Sequence, residues 1–255
     1  MTVRLVREGD LAILTIARPA VKNALDSATM LALRAHLEAL ARDEDLRVAI
    51  LSGEGDTFVS GGDLSELRER ASRSHAEELA AQGTAVCDAI ADLPVPVIAA
   101  LDGAAIGGGA ELAVACDLRV FGAKGTIAFK HVRLGVTTAW GTLGRLHTLL
   151  GARAARLLYT GETLDARSAL ALGLADAAAD VAMVEARSIA ASIARAAPAA
   201  IRQTKSNLLA ARQLAGTELR GVERKAFVST WASDDHAEAV AAFFEKRPPC
   251  FGTAR

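Results

Sequence analysis

Cysteine is scarce and poorly placed for a covalent framework. The chain has three, Cys87, Cys116 and Cys250, an odd number at wide spacing. That pattern excludes a disulfide scaffold and offers no metal-ligand spacing, so we expect reduced, buried thiols and no bound metal. Aromatic residues are also few, at 4%, which leaves little for stacking on single-stranded nucleic acid. Neither sign of charge prevails: 29 basic and 30 acidic residues give a net charge of −1, with no footprint for a nucleic-acid backbone or an anionic membrane. Long apolar runs are missing, because Asp and Arg interrupt the Ala-rich stretches before a membrane span is reached. The opening Met1-Thr2-Val3-Arg4-Leu5-Val6-Arg7-Glu8 lacks the apolar core of a signal peptide. A Gly-x-Ser-x-Gly nucleophile elbow is absent as well. These absences lead us to expect a soluble, cytoplasmic protein without nucleic-acid or membrane partners.

What remains is ample for a globular core: 255 residues, 51% of them hydrophobic and 23% charged, suit one large domain or one domain with a small appendage. Residues 3–6 and 11–16 read as strands joined by a hairpin turn at Gly9-Asp10. Pro19 ends the second strand, and Asp26 or Ser27 can cap a helix running to Leu40, in which Met30, Leu33, Leu37 and Leu40 recur at helical spacing. The short apolar runs 48–51 and 95–101 are strands of the kind buried on both faces of a parallel sheet. A helix over about 74–93 lies between them, after a charged, mobile stretch over 66–73. This alternation specifies an α/β layered core with right-handed crossovers. A further strand is expected over 128–132. Beyond Gly141 the pattern becomes wholly helical, with helices near 141–150, 153–159, 182–196, 199–213, 217–231 and 235–246.

Two glycine-bearing stretches carry the chemistry: Phe58-Val59-Ser60-Gly61-Gly62-Asp63-Leu64 and Ala105-Ile106-Gly107-Gly108-Gly109-Ala110-Glu111-Leu112. Glycine lets backbone N–H groups approach a ligand unobstructed, and the second stretch runs into a helix, whose first N–H groups are free and at the positive end of the dipole. Two such donors converging on one carbonyl oxygen form an oxyanion hole. Phosphate-binding alternatives fail: no Lys-Ser or Lys-Thr follows the glycines, and Leu112 stands where a dinucleotide fingerprint needs its third glycine. Tight helix–strand packing also explains such a glycine run. Glu111 stands one turn beyond Gly108 on the same helix face. Its apolar surroundings imply burial, either for catalysis or to serve the helix dipole.

These residues resemble the crotonase (enoyl-CoA hydratase/isomerase) superfamily. Arg18-Pro19-Ala20-Val21-Lys22-Asn23-Ala24-Leu25, Ala115-Cys116-Asp117-Leu118-Arg119 and Gly161-Glu162 extend the likeness, in family order, over about residues 3–250. The resemblance implies a ββα spiral core over 1–195 and a helical C-terminal region over 196–255 that trimerises and caps the active site. It further implies an acyl-CoA substrate, no cofactor beyond the CoA moiety of that substrate, and a homotrimer or dimer of trimers. By match, the N–H groups of Gly62 and Gly108 hold the thioester oxygen as an enolate forms. Lys22, Ala24, Leu25, Ser60, Asp63 and Leu64 line the CoA channel, with Ile106, Gly107, Gly135 and Trp140 also on the substrate. Phe243 and Lys246 of the last helix meet its nucleotide end.

One departure concerns the reaction. Hydratases of this family use two acidic residues; Glu111 matches the first, whereas the second falls on His131, whose imidazole differs in charge, reach and pKa. Trp140 stands where a small residue is usual and would narrow the acyl pocket and keep it dry. Glu111, His131 and Trp140, with Gly141, Arg145-Leu146 and Trp231, are similar to the ethylmalonyl-CoA decarboxylase branch. Catalysis is therefore expected from Glu111 and His131, with decarboxylation of a short 2-carboxyacyl-CoA (ethylmalonyl- or methylmalonyl-CoA type) as the leading expectation. A 2-enoyl-CoA hydratase or isomerase and a catalytically silent acyl-CoA-binding scaffold are the alternatives. His131 as a packing residue of the core is also compatible with the sequence.

Overall fold

Strands β1 (Val3–Glu8) and β2 (Leu11–Ile16) form an antiparallel hairpin whose turn needs the left-handed backbone of Gly9, φ 60°. The chain then leaves the sheet and returns by crossovers, so β3 (Val48–Gly53), β4 (Val97–Leu101), β6 (Leu118–Phe121) and β9 (Ala177–Ala178) each add in parallel, giving the order β1-β2-β3-β4-β6-β9. Every residue of β4 is buried, as a strand covered on both faces requires. The computed structural model describes residues 2–69, 72–211, 224–225, 227–229, 231 and 233–251.

Helices cover the two faces unequally. On one side lie α1 (Ser27–Leu40), α3 (Arg73–Ala91) and the wholly buried α4 (Gly108–Ala115), packed into a large core with Leu14, Leu51, Phe58 and Phe121. Asp26 caps α1, its side chain accepting from the Thr29 N–H at 2.7 Å. On the other side α8 (Ala182–Ala194) lays the stripe Ala182, Ala186 and Ala190 against Ile50, Ile98 and Val120. Alanines at i, i+4 and i+8 let that helix sit close to the sheet. A second sheet of three short strands, β5 (Ala104–Ile106), β7 (Thr126–Ala128) and β8 (Thr163–Asp165), stands beside the first in the order β5-β7-β8.

Beyond α4 the described residues also form α5 (Thr142–Leu150), α6 (Ala154–Thr160), α7 (Ala166–Leu172), α9 (Pro198–Ala210) and α10 (Asp234–Glu245). The C-terminal helices are tied back to the core: Lys205 of α9 reaches the Val95 carbonyl at 2.8 Å and the Asp117 carboxylate at 2.7 Å. Among the described residues no helix is long and apolar enough to cross a membrane.

Several expectations need correction. The strand expected over 128–132 stops at Ala128, because its partner β5 is only three residues long and turns at Gly107 into α4. Lys130–Leu134 is a 3-10 turn instead, and His131 sits on it. The region beyond Gly141 is not wholly helical, since β8 and β9 are strands of three and two residues made by pairing with β7 and β6. The charged stretch begins as a helix, α2 (Leu64–Glu69), where the Glu66 carboxylate accepts from the Ser27 N–H at 2.9 Å. Cys87 and Cys116 are buried but Cys250 is exposed. Most of the helix expected over 217–231 lies outside the described residues.

Candidate active site

Strand register brings the two glycine stretches together. Val59 and Ala105 form a parallel bridge, with the Val59 N–H donating to Ala104 O at 3.1 Å and the Ile106 N–H to Val59 O at 2.9 Å. Gly62 and Gly108 each stand three residues beyond that bridged pair, and both line one cavity. A second parallel bridge holds Gly62 opposite Leu25: the Leu25 N–H donates to Gly61 O at 2.8 Å and the Asp63 N–H to Leu25 O at 2.9 Å. In such a bridge the flanking residues supply the bonds, so the N–H of Gly62 itself faces away from Leu25. Gly108 is the first residue of α4, where an N–H has no acceptor within the helix.

Several of these glycines are required by packing. A Cβ on Gly109 would fall 2.1 Å from Val59 O, and Gly61 (φ 112°) lies with Ile106 O and the Gly108 nitrogen close by. Gly107, at φ 54° and ψ −118°, makes the turn into the helix. The packing reading of the glycine run therefore holds for Gly109, while Gly108 stays at the helix start with its N–H free of any acceptor within the helix.

Gly62 and Gly108 line a cavity of about 700 Å³, shared with Glu111, His131 and Trp140. The Glu111 carboxylate is 2% exposed. Its Oε2 accepts from the Trp140 N–H at 3.0 Å and from the Thr142 hydroxyl, while Oε1 lies 2.9 Å from His131 Nε2. Facing a carboxylate oxygen, Nε2 carries the ring hydrogen, so three donors converge on one carboxylate. His131 Nδ1 is buried and has no partner among the described residues. The Trp140 carbonyl in turn accepts from Arg145 Nη1 at 2.5 Å, and Arg145 Nη2 pairs with Asp88 of α3 at 2.6 Å.

Of the other residues expected at the substrate, Lys22, Ala24, Ser60, Asp63, Ile106 and Gly107 are on the cavity wall. Asp63 is neutralised by Arg18 at 3.1 Å, and Arg18 also pairs with Asp26 at 2.9 Å. Leu25, Gly135 and Lys246 are not on the wall. The Leu25 side chain turns into the core while its backbone holds the glycine loop, and Gly135 (φ 72°) closes the 3-10 turn that carries His131. The side chains of Leu64 and Phe243 lie outside the described residues. Sequence reasoning missed Thr142, the hydroxyl on Glu111, and the cations Lys130 and Arg133, which line the cavity beside His131. The available signal was Lys130-His131-Val132-Arg133, two cations flanking a residue already singled out. Trp231 is exposed. The buried thiols are chemically quiet: burial pushes the Cys116 thiol up to about 12 and raises Cys87 further, so neither supplies a thiolate nucleophile.

A ββα core with backbone donors at a helix start and a buried glutamate beside them defines the crotonase class of α/β fold. The family pattern described as enoyl-CoA hydratase/isomerase matches residues 7–254, and the chain belongs to that family. It is 32% identical to a short-chain-enoyl-CoA hydratase of Clostridium acetobutylicum over 249 residues, covering 96% of this chain and 95% of that one. It is 34% identical to a crotonyl-CoA hydratase of Syntrophomonas wolfei over 251 residues, covering 97% and 96%. The solved enoyl-CoA hydratase of Bacillus anthracis superposes with a TM-score of 0.96 at 28% identity, covering all of both chains. These relatives favour the hydratase alternative over the decarboxylase expected from Glu111, His131 and Trp140.

Proposed function

We propose that this protein adds water across the double bond of a 2-enoyl-CoA thioester. The observation that carries the reading is the Glu111 carboxylate, held by three donors one helical turn from Gly108, in the cavity that Gly62 and Gly108 also line. In the addition, the oxygen of water bonds to the β carbon and gives up a proton to Glu111. The displaced electron pair moves onto the thioester oxygen, where the N–H groups of Gly62 and Gly108 stabilise it as an enolate. Glu111 then returns a proton to the α carbon, and the carbonyl re-forms. His131 donates to Oε1 throughout, keeping that oxygen aimed. Lys22, Lys130 and Arg133 give the cavity wall positive charge, which suits the phosphates of CoA.

Self-association belongs to the same proposal. Leu143 of α5 and Tyr159 of α6 are exposed apolar side chains off the cavity wall, and a homotrimer or dimer of trimers would cover them. Sedimentation would read the assembly. Activity is tested on purified protein with crotonyl-CoA, following loss of the enoyl absorbance, and separately with ethylmalonyl-CoA, following CO₂. Hydration without CO₂ supports the proposal. CO₂ release without hydration would replace it with decarboxylation, and silence on both, with thermal stabilisation by CoA esters, would leave a binding protein.

A further inference from the structure

Gly83 lies in the interior of α3, where glycine weakens a helix relative to alanine, so its presence there calls for a packing reason. The Trp140 indole supplies one. A Cβ on Gly83 would stand 2.0 Å from indole Cε2 and 2.1 Å from Nε1, and a Cβ on Gly108 would stand 2.5 Å from Cη2 and 2.7 Å from Cζ3. The ring therefore occupies a slot that exists only because both residues are glycine: Gly83 meets the ring fusion and nitrogen, Gly108 the far edge of the six-membered ring. The backbone of Trp140 is anchored to the same neighbours, through its N–H to Glu111 and through its carbonyl to Arg145 and so to Asp88 of α3.

From this packing we infer that Trp140, seated in the Gly83–Gly108 slot, is the residue that limits the acyl group to a short chain. The inference rests on reading the cavity as an acyl-CoA site. Gly108 offers its N–H to the thioester oxygen, so the indole edge over its Cα stands where the acyl chain leaves the carbonyl. A crotonyl or butyryl group ends before that wall, whereas an octanoyl or decanoyl group has to displace a rigid ring fixed at both edges.

Calorimetric titration with butyryl-CoA and decanoyl-CoA tests this, because saturated thioesters are not hydrated and the outcome is independent of turnover. The wild-type protein should bind butyryl-CoA the more tightly. Trp140→Ala, which keeps the backbone N–H on Glu111, should raise decanoyl-CoA affinity relative to butyryl-CoA by at least about 10-fold, since even one accommodated methylene is worth that much. Should that variant fail to fold, Trp140→Phe carries the same prediction at smaller size. Gly83→Ala expels the indole and should shift the preference in the same direction, with no further shift in the Trp140→Ala background. An unchanged chain-length preference in the Trp140 variants overturns the inference, and so does equally tight decanoyl-CoA binding by the wild type. Butyryl-CoA binding without crotonyl-CoA hydration leaves this inference standing and removes only the proposed reaction.

Discussion

The two sides of the cavity are built on different principles. On one side the groups that matter are backbone N–H donors, and what places them is hydrogen-bonded register: Val59 on Ala105, Leu25 on Gly62. On the other side the groups are side chains, Glu111, His131 and Trp140, placed by hydrogen bonds and packing among themselves. In the proposed reaction the backbone side holds the enolate oxygen, whereas the side-chain side moves the proton.

The difference is sharpest when each side is broken singly. Glu111→Gln keeps the shape of the side chain and removes its capacity to take a proton. We expect kcat for crotonyl-CoA hydration to fall by roughly 10²–10⁴, the usual worth of a positioned acid or base, with the fold retained because the His131 ring can carry its hydrogen on Nδ1 and accept from the new amide at Nε2. An active Glu111→Gln enzyme would move the proton transfer elsewhere. On the backbone side no side-chain truncation deletes a donor, so proline is the informative substitution. Gly62→Pro is cleaner than Gly108→Pro, because any side chain on Gly108 would also strike Trp140. Loss of the Gly62 N–H should lower kcat by about 10²–10³, the range for one oxyanion donor. Turnover retained in a folded Gly62→Pro protein would show that the N–H does not touch the oxyanion.

The backbone side was the more legible in the sequence. Glycines before a helix, following an apolar run, announce free N–H groups, and close packing falls on other members of the same run. The side-chain side was legible in composition but not in geometry. Glu111 and His131 could be named, yet the 2.9 Å contact between them depends on a 3-10 turn over Lys130–Leu134 where the pattern of 128–132 predicts a strand. Strands of two or three residues, such as β8 and β9, carry too little periodicity to be seen and exist only through their partners. The pairing of Gly83 with Trp140 joins positions far apart in sequence, neither of which marks the other. Three side chains point to decarboxylation, whereas whole-chain likeness to hydratases favours the alternative.

His131 tests how far the side-chain side is a unit. If its Nε2–H holds Oε1 of Glu111 during proton transfer, His131→Ala should reduce kcat by roughly 100-fold, and less if Thr142 and the Trp140 N–H suffice to aim the carboxylate. Unchanged turnover in a folded variant would return His131 to the packing role that the sequence also allowed.

Gly109 supplies the opposite and smaller test, a residue of the backbone side that touches no substrate. Its Cα lies against the Val59 carbonyl, so a methyl group there meets backbone that cannot rotate away. Gly109→Ala must push α4 off the Val59–Ala105 bridge, and overpacking of this kind costs about 1–3 kcal/mol, read as a lower urea midpoint. Because the displaced element carries Gly108, hydration should fall in step with stability, whereas Glu111→Gln separates the two. A Gly109→Ala protein of full stability and reduced turnover would mean that the register shifted without cost, and the backbone side would then be as adjustable as the side-chain side.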